Sequence, residues 1–207
     1  MALHDVIAKQ FEHPRGMPGR VVAWIMAHRS SNRDRNRWTV DLLKIQPQDH
    51  VLEIGCGPGL ALEGCLARAT TGMVVGLDHS QTMLDQACSR NRQAVQDGRL
   101  QLRLGSLEEL CGSADSYDKI FSVNVVQFLD ELSAAYTVFY NHLKPGGTVA
   151  TTYMPRGQSP DRAQAWKMPE DVTYQMEQTG FVQIRVEELP PNPVPAICVI
   201  GSRPSAS

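Results

Sequence analysis

The sequence predicts an α/β fold, one mostly parallel sheet with helices on both faces, and three observations carry that prediction. From residue 49 onward short apolar runs alternate with longer amphipathic ones. The first run passes straight into a turn with glycines at 55, 57 and 59. The last two runs are joined by a Pro-rich link with no room for a helix. Strand–helix alternation builds parallel strands covered on both faces, whereas two strands without a crossover helix run antiparallel. The sheet therefore has seven strands and ends in an antiparallel hairpin.

The elements follow in order. In the first 48 residues Val21, Val22, Trp24, Ile25 and Met26 form one apolar cluster, and Trp38, Val40, Leu42, Leu43 and Ile45 another. The polar stretch "HRSSNRDRNR" separates them, which predicts two short helices. Ahead of them "HPRGMPG" places two prolines and two glycines in seven residues, a hinge or loop. Strands are predicted at 51–54, 73–77, 100–104, 119–123, 148–153, 182–187 and 196–200. Helices are predicted at 58–69, with Pro58 near the first helical position, at 81–96, N-capped by Ser80, and at 127–143, stopped by "KPGG", with a short turn at 108–110. This divides the chain into a helical lid (1–48), a core (49–203) and a disordered tail (204–207).

Composition narrows the function. The chain has 207 residues with 42% hydrophobic and 20% charged content, enough for one sizeable core. A net charge of −2 argues against a dedicated electrostatic binder of nucleic acid or membrane. The first 48 residues are nevertheless +4 and the remaining 159 are −6. Five cysteines, odd in number and never spaced C-x-x-C, form no zinc or disulfide signature, so no metal is expected and a reducing cytoplasm is the simplest setting. No apolar run approaches the ~20 residues of a membrane span. A monomer or homodimer is expected, without a stable nucleic-acid partner.

A strand that ends in glycines and enters a helix delivers backbone N–H groups to a ligand at the carboxyl edge of the sheet. The spacing here is G-x-G-x-G, with Leu60 where a dinucleotide fingerprint has its third glycine, and no Lys-Ser/Thr follows as in a phosphate loop. At the end of the next strand "VVGLDHS" places Asp78 nineteen residues beyond Gly59, where a carboxylate accepts hydrogen bonds from both ribose hydroxyls. The same carboxylate can also cap the following helix. The predicted ligand is a nucleoside.

In order, "VLEIGCGPG", "VVGLDHS", "LGSLEEL", "DKIFSVNVVQFL" and "LKPGG" resemble the successive motifs of the class I S-adenosylmethionine-dependent methyltransferases, whose Rossmann-like sheet also ends in an antiparallel hairpin. Within that class the chain looks most like small enzymes related to ubiquinone and menaquinone biosynthesis. The resemblance implies that Gly55, Gly57 and Gly59 line the methionine part of S-adenosylmethionine, that Glu53 fixes its amino group, and that Asp78 takes the ribose. His79 and Met83 would lie against the adenine, although Met83 serves equally as core packing. Many relatives carry an Asp after the third strand. Here Gly105-Ser106-Leu107 stands instead, and Ser106 or the backbone of Leu107 takes the adenine amino group.

Methyl transfer from a sulfonium needs alignment of a nucleophile and exclusion of water rather than a fixed catalytic residue. Negative signals remove several acceptors. "NVVQF" lacks the Asn/Asp-Pro-Pro-aromatic loop of amide-nitrogen enzymes, and no Pro-Cys dipeptide occurs. A small-molecule acceptor is expected, methylated on O, S, N or C. Asn124 and Gln127, at the carboxyl end of the fourth strand, are the candidate catalytic groups. Tyr153 and the base His13 join them, while Phe11, Asn36, Arg37 and Trp38 would contact the acceptor from the lid. Two rivals stay open on the residues alone, a nicotinamide-dependent oxidoreductase and a non-catalytic nucleoside- or RNA-binding protein.

Overall fold

The computed structural model describes residues 30–111, 113–155, 162–190 and 195–206. The first predicted helix, the hinge, Phe11 and His13 lie outside them. The elements are α1 (Ser30–Leu42), β1 (His50–Ile54), α2 (Leu60–Leu66), β2 (Met73–Asp78), α3 (Gln81–Arg90), α4 (Arg92–Gln96), β3 (Leu100–Leu104), β4 (Tyr117–Val123), α5 (Leu132–His142), β5 (Leu143–Tyr153), α6 (Arg162–Thr179), β6 (Val182–Leu189) and β7 (Ala196–Ser202). Two 3₁₀ turns, Leu107–Leu110 and Val126–Phe128, follow β3 and β4.

The seven strands form one sheet in the order β3-β2-β1-β4-β5-β7-β6. The first five are parallel, and β7 inserts antiparallel between β5 and the edge strand β6. The central strands are apolar without alternation because each neighbouring pair of residues faces opposite layers. Val51, Val74, Phe121, Ala150 and Ile200 pack with Val40 of α1, with Leu43 just beyond it, and with Leu62 and Cys65 of α2. Their neighbours Leu52, Val75, Ile120, Val149 and Val199 pack on the other face with Tyr136 and Phe139 of α5 and Val172 and Met176 of α6. On that second face the Tyr136 hydroxyl bonds Thr151 Oγ1 at 2.7 Å, which satisfies a fully buried phenol.

The helices depart from the predicted bounds in four places. The stretch expected as a polar separator is itself helical from Ser30, carrying Arg35 and Asn36 inward. The helix expected over 81–96 breaks at Asn91 (φ −112°, ψ 30°) into α3 and α4. The helix expected from 127 begins only at Leu132, because Phe128 and Leu129 first close tight three-residue turns onto Val125 and Val126. Finally, α6 was not anticipated between the fifth and sixth strands. Its apolar positions Ala165, Val172 and Met176 have helical spacing, but Pro169 within the helix masks the signal.

Candidate cofactor and methyl-acceptor site

At the carboxyl edge the chain leaves β1 and folds over the end of β2. Gly55 and Cys56 both donate their backbone N–H to Leu77 O, at 2.8 and 3.0 Å, and the Gly57 N–H donates to Asp78 Oδ2 at 2.8 Å. All three glycines are left-handed, with φ of 65°, 51° and 78°, a region costly for any residue with a Cβ. They are not equivalent, however. A Cβ at Gly55 would sit 2.4 Å from Val125 Cγ2, and one at Gly59 would meet Asn91 Nδ2 at 2.8 Å and Ala87 at 3.0 Å. A Cβ at Gly57 would meet nothing within 4 Å. Two of the glycines are thus demanded by the protein's own packing, and Gly57 alone opens onto free space.

Two residues ahead of the turn, on β1, lies Glu53, which is 2% exposed and whose Oε2 has no hydrogen-bond partner. Burial, and secondarily the Asp78 carboxylate, hold the Glu53 carboxyl well above the usual carboxylate range. A buried acid oxygen left unpaired next to a second acid is costly until a cation reaches it. Asp78 is itself buried, with Oδ1 accepting the Ser80 N–H at 2.9 Å and Oδ2 taken by Gly57. A carboxylate has about four lone-pair directions, so two acceptor positions remain for hydroxyls. Ser80 stands at the predicted N-cap of α3, but its side chain makes no capping bond. Burial also pushes up the Cys56 thiol, aided by Glu53 and Asp78, so this cysteine stays protonated as packing in the turn.

The remaining predicted residues divide between this edge and the scaffold. The Gly105 N–H donates to Asp78 O at 3.0 Å, which brings Ser106 and Leu107 to the same edge; Ser106 is exposed and Leu107 half-buried. His79 is exposed, and Met83 is buried in α3. Asn124, directly after β4, has a left-handed backbone (φ 56°), which an Asn side chain tolerates best among residues with a Cβ. Its Oδ1 accepts the Met154 N–H at 2.9 Å and its Nδ2 donates to Met154 O at 3.3 Å, so the amide clasps the exit of β5 around Tyr153. Gln127 is exposed, with Nε2 donating to Asn124 O at 2.8 Å. Tyr153 is half-buried, and burial raises its phenol above the ordinary value. On α1, the Asn36 amide returns to Asn32 O at 2.7 Å, Arg37 faces solvent, and Trp38 packs against the core.

Two groups near the site escape the sequence pattern. Arg35, 2% exposed, donates from Nη1 to Met154 Sδ at 3.0 Å, while Thr39 Oγ1 meets Thr152 Oγ1 at 2.7 Å. These contacts seat α1 on the carboxyl end of β5. Arg90 and Asn91 reach the glycine turn from α3. Both pairings join residues 32 or more positions apart, and only the fold reveals them. Among the described residues no group of three or more His, Cys, Asp or Glu could hold a metal ion, and no helix is long and apolar enough to cross a membrane.

A glycine turn on β1, an acid ending β2, and a sheet with β7 inserted antiparallel match the arrangement that the resemblance to class I S-adenosylmethionine-dependent methyltransferases implies. Residues 51–147 match the family described as methyltransferase domain. The chain is 29% identical over 185 residues to the uncharacterized methyltransferase YdaC of Bacillus subtilis, covering 89% of this chain and 99% of that protein. It is 32% identical over 149 residues to a malonyl-[acyl-carrier protein] O-methyltransferase of Salmonella typhimurium, covering 72% and 56% respectively. In fold it is similar to phosphoethanolamine N-methyltransferase 2 of Haemonchus contortus, solved with S-adenosylhomocysteine, at a TM-score of 0.67 and 18% identity over 83% of this chain and 53% of that one. The chain spans only about half the length of the latter two proteins. Residues 51–147 thus match a methyltransferase domain, the chain is similar in sequence to methyltransferases, and its fold is similar to that of an S-adenosylmethionine-dependent methyltransferase.

Proposed function

We propose that the protein transfers the methyl group of S-adenosylmethionine to a small-molecule acceptor held at the carboxyl ends of β4 and β5, in the cytoplasm. The observation that carries this reading is the orphaned, protonation-prone Glu53 carboxyl near Asp78, the residue that holds the open-faced Gly57. An ammonium group ionises Glu53 and supplies the missing partner, and a bare backbone position admits a ligand chain that any side chain would obstruct. In this reading Asp78 offers its remaining lone pairs to the ribose, Ser106 and Leu107 receive the adenine amino group, and His79 and Met83 lie against the adenine; the bond from Gly105 N–H to Asp78 O supports it. When bound, the cofactor supplies an electrophilic methyl on a sulfonium, ready for in-line displacement. The protein's part is to align the acceptor and keep water out.

We place the acceptor against Asn124, Gln127 and Tyr153. The Tyr153 hydroxyl, held neutral, donates a hydrogen bond to an acceptor oxygen, and the amides orient the nucleophile. Residues 1–48 serve as the lid. Its described part, α1, is seated on this end through Arg35 and Thr39, and we assign the acceptor contacts of the lid to Asn36, Arg37 and Trp38 on that helix and, beyond the described residues, to Phe11 and the base His13. The names of the relatives support a small acceptor, since they include sterol methyltransferases and a trans-aconitate methyltransferase.

Radiolabelled donor tests this function. Incubated with the low-mass fraction of a cell extract, the wild type is expected to transfer label to a small molecule. Asp78→Ala is expected to lose about 1–3 kcal/mol of donor affinity through the missing charge-assisted bonds. Label appearing only in protein or RNA fractions contradicts the small-molecule assignment, and unaltered donor affinity in Asp78→Ala contradicts the ribose contact.

A further inference from the structure

The break between α3 and α4 falls where the end of α3 meets the glycine turn. There Arg90 Nε donates to Pro58 O at 3.0 Å, and Asn91 Nδ2 donates to Gly59 O at 3.2 Å and to Ala87 O at 3.0 Å. Asn91 is buried and Arg90 is largely exposed. The contact is close enough that a Cβ on Gly59 would strike Asn91 Nδ2 and Ala87. The same stretch that starts α3 holds the turn at its other end, because Asp78 Oδ2 accepts the Gly57 N–H. Donors of the turn are therefore fixed at its β2 side and acceptors at its α3 side.

Consecutive peptide planes held in this way cannot rotate independently. With the carbonyls of Pro58 and Gly59 tied to α3, neither can swing toward the opening at Gly57, where a carbonyl would repel an anionic ligand group and fill the space a ligand chain needs. Unbroken helix through residue 91 would aim that side chain elsewhere. The irregular backbone at Asn91, with Nδ2 also covering the Ala87 carbonyl, is the structural cost of aiming an amide at the turn.

We propose that Asn91 and Arg90 are positioning residues for the cofactor: through the carbonyls of Gly59 and Pro58 they hold the glycine turn in its binding shape and so set donor affinity without touching the ligand. This rests on the glycine turn being the S-adenosylmethionine site. Calorimetric titration with S-adenosylhomocysteine tests it, with melting temperature measured alongside. Asn91→Asp keeps the shape but turns an acceptor toward two carbonyls, and is expected to weaken binding tenfold or more. Arg90→Met keeps the exposed stem and loses only the donor, and is expected to weaken it about threefold. Val172→Ala, buried in α6 on the opposite face, lowers the melting temperature and serves as the stability control, with affinity unchanged.

Weakening in the Asn91 and Arg90 variants beyond that of the control supports the proposal. Affinity equal to wild type in both, or losses matching the control, overturns it. Should Asn91→Asp not fold, Arg90→Met decides alone, since its side chain is exposed. Wild type that takes up no S-adenosylhomocysteine would instead refute the cofactor assignment beneath the proposal.

Discussion

Gly57→Leu is expected to abolish S-adenosylmethionine binding, by a factor of a hundred or more, while leaving a folded protein. The two effects separate because a Cβ at this position meets no protein atom within 4 Å. The cost to the fold at the Cβ is the left-handed backbone at φ 51°, about 1–2 kcal/mol for a residue with a side chain. In a domain of this size that corresponds to a melting temperature lower by roughly 2–8 °C. The leucine then occupies the open space over residue 57. Gly59→Ala is the instructive contrast, because its methyl would meet Ala87 and Asn91 at 2.8 to 3.0 Å and perturb packing itself. Calorimetry and thermal melts on the two variants distinguish a glycine kept for a ligand from a glycine kept for the fold.

Glu53→Gln is expected to move stability and affinity in opposite directions. The Glu53 carboxyl is raised by burial and by Asp78, so the folded state binds its proton more tightly than the unfolded chain does. Such a group contributes stability that is fully present below its unfolded pKa, about 4.3, and is lost as pH rises through its folded value. The wild type without ligand should therefore lose stability as pH climbs above about 4.3, whereas Glu53→Gln should lack that component of the fall. At neutral pH its melting temperature is expected to be higher, by about 2–4 °C for each kcal/mol of relieved burial cost. Donor affinity, in contrast, should drop about tenfold or more, since the ligand ammonium loses its counter-charge. Ionisation of Glu53 on binding also predicts proton release, seen as a binding enthalpy that varies with the buffer in the wild type and not in Glu53→Gln. A variant that loses stability and binds the donor normally would contradict the role given to Glu53.

The sheet was legible in the sequence because buried parallel strands leave uninterrupted apolar runs, and each of the seven runs became a strand. The turn and Asp78 were legible because left-handed backbone and close approach demand glycine at fixed spacing. What the sequence concealed has physical causes. Pro169 hid α6 because a proline normally ends a helix. The inward turn of Arg35 and Asn36 was hidden by their charge and polarity, which in a linear pattern suggest a solvated face. The division of labour among Gly55, Gly57 and Gly59 depends on Val125 and on α3, which arrive from 70 and about 30 residues away. Periodicity carries no trace of such partners, and the same is true of the bonds from Arg90 and Asn91 to the turn.

Co-crystallisation with S-adenosylhomocysteine tests the central claim most directly. The account predicts its amino group within hydrogen-bond reach of Glu53 Oε2, its chain passing over the bare face of Gly57, and both ribose hydroxyls on Asp78. Ligand bound elsewhere, with Glu53 still unpaired and the space above Gly57 empty, would contradict it.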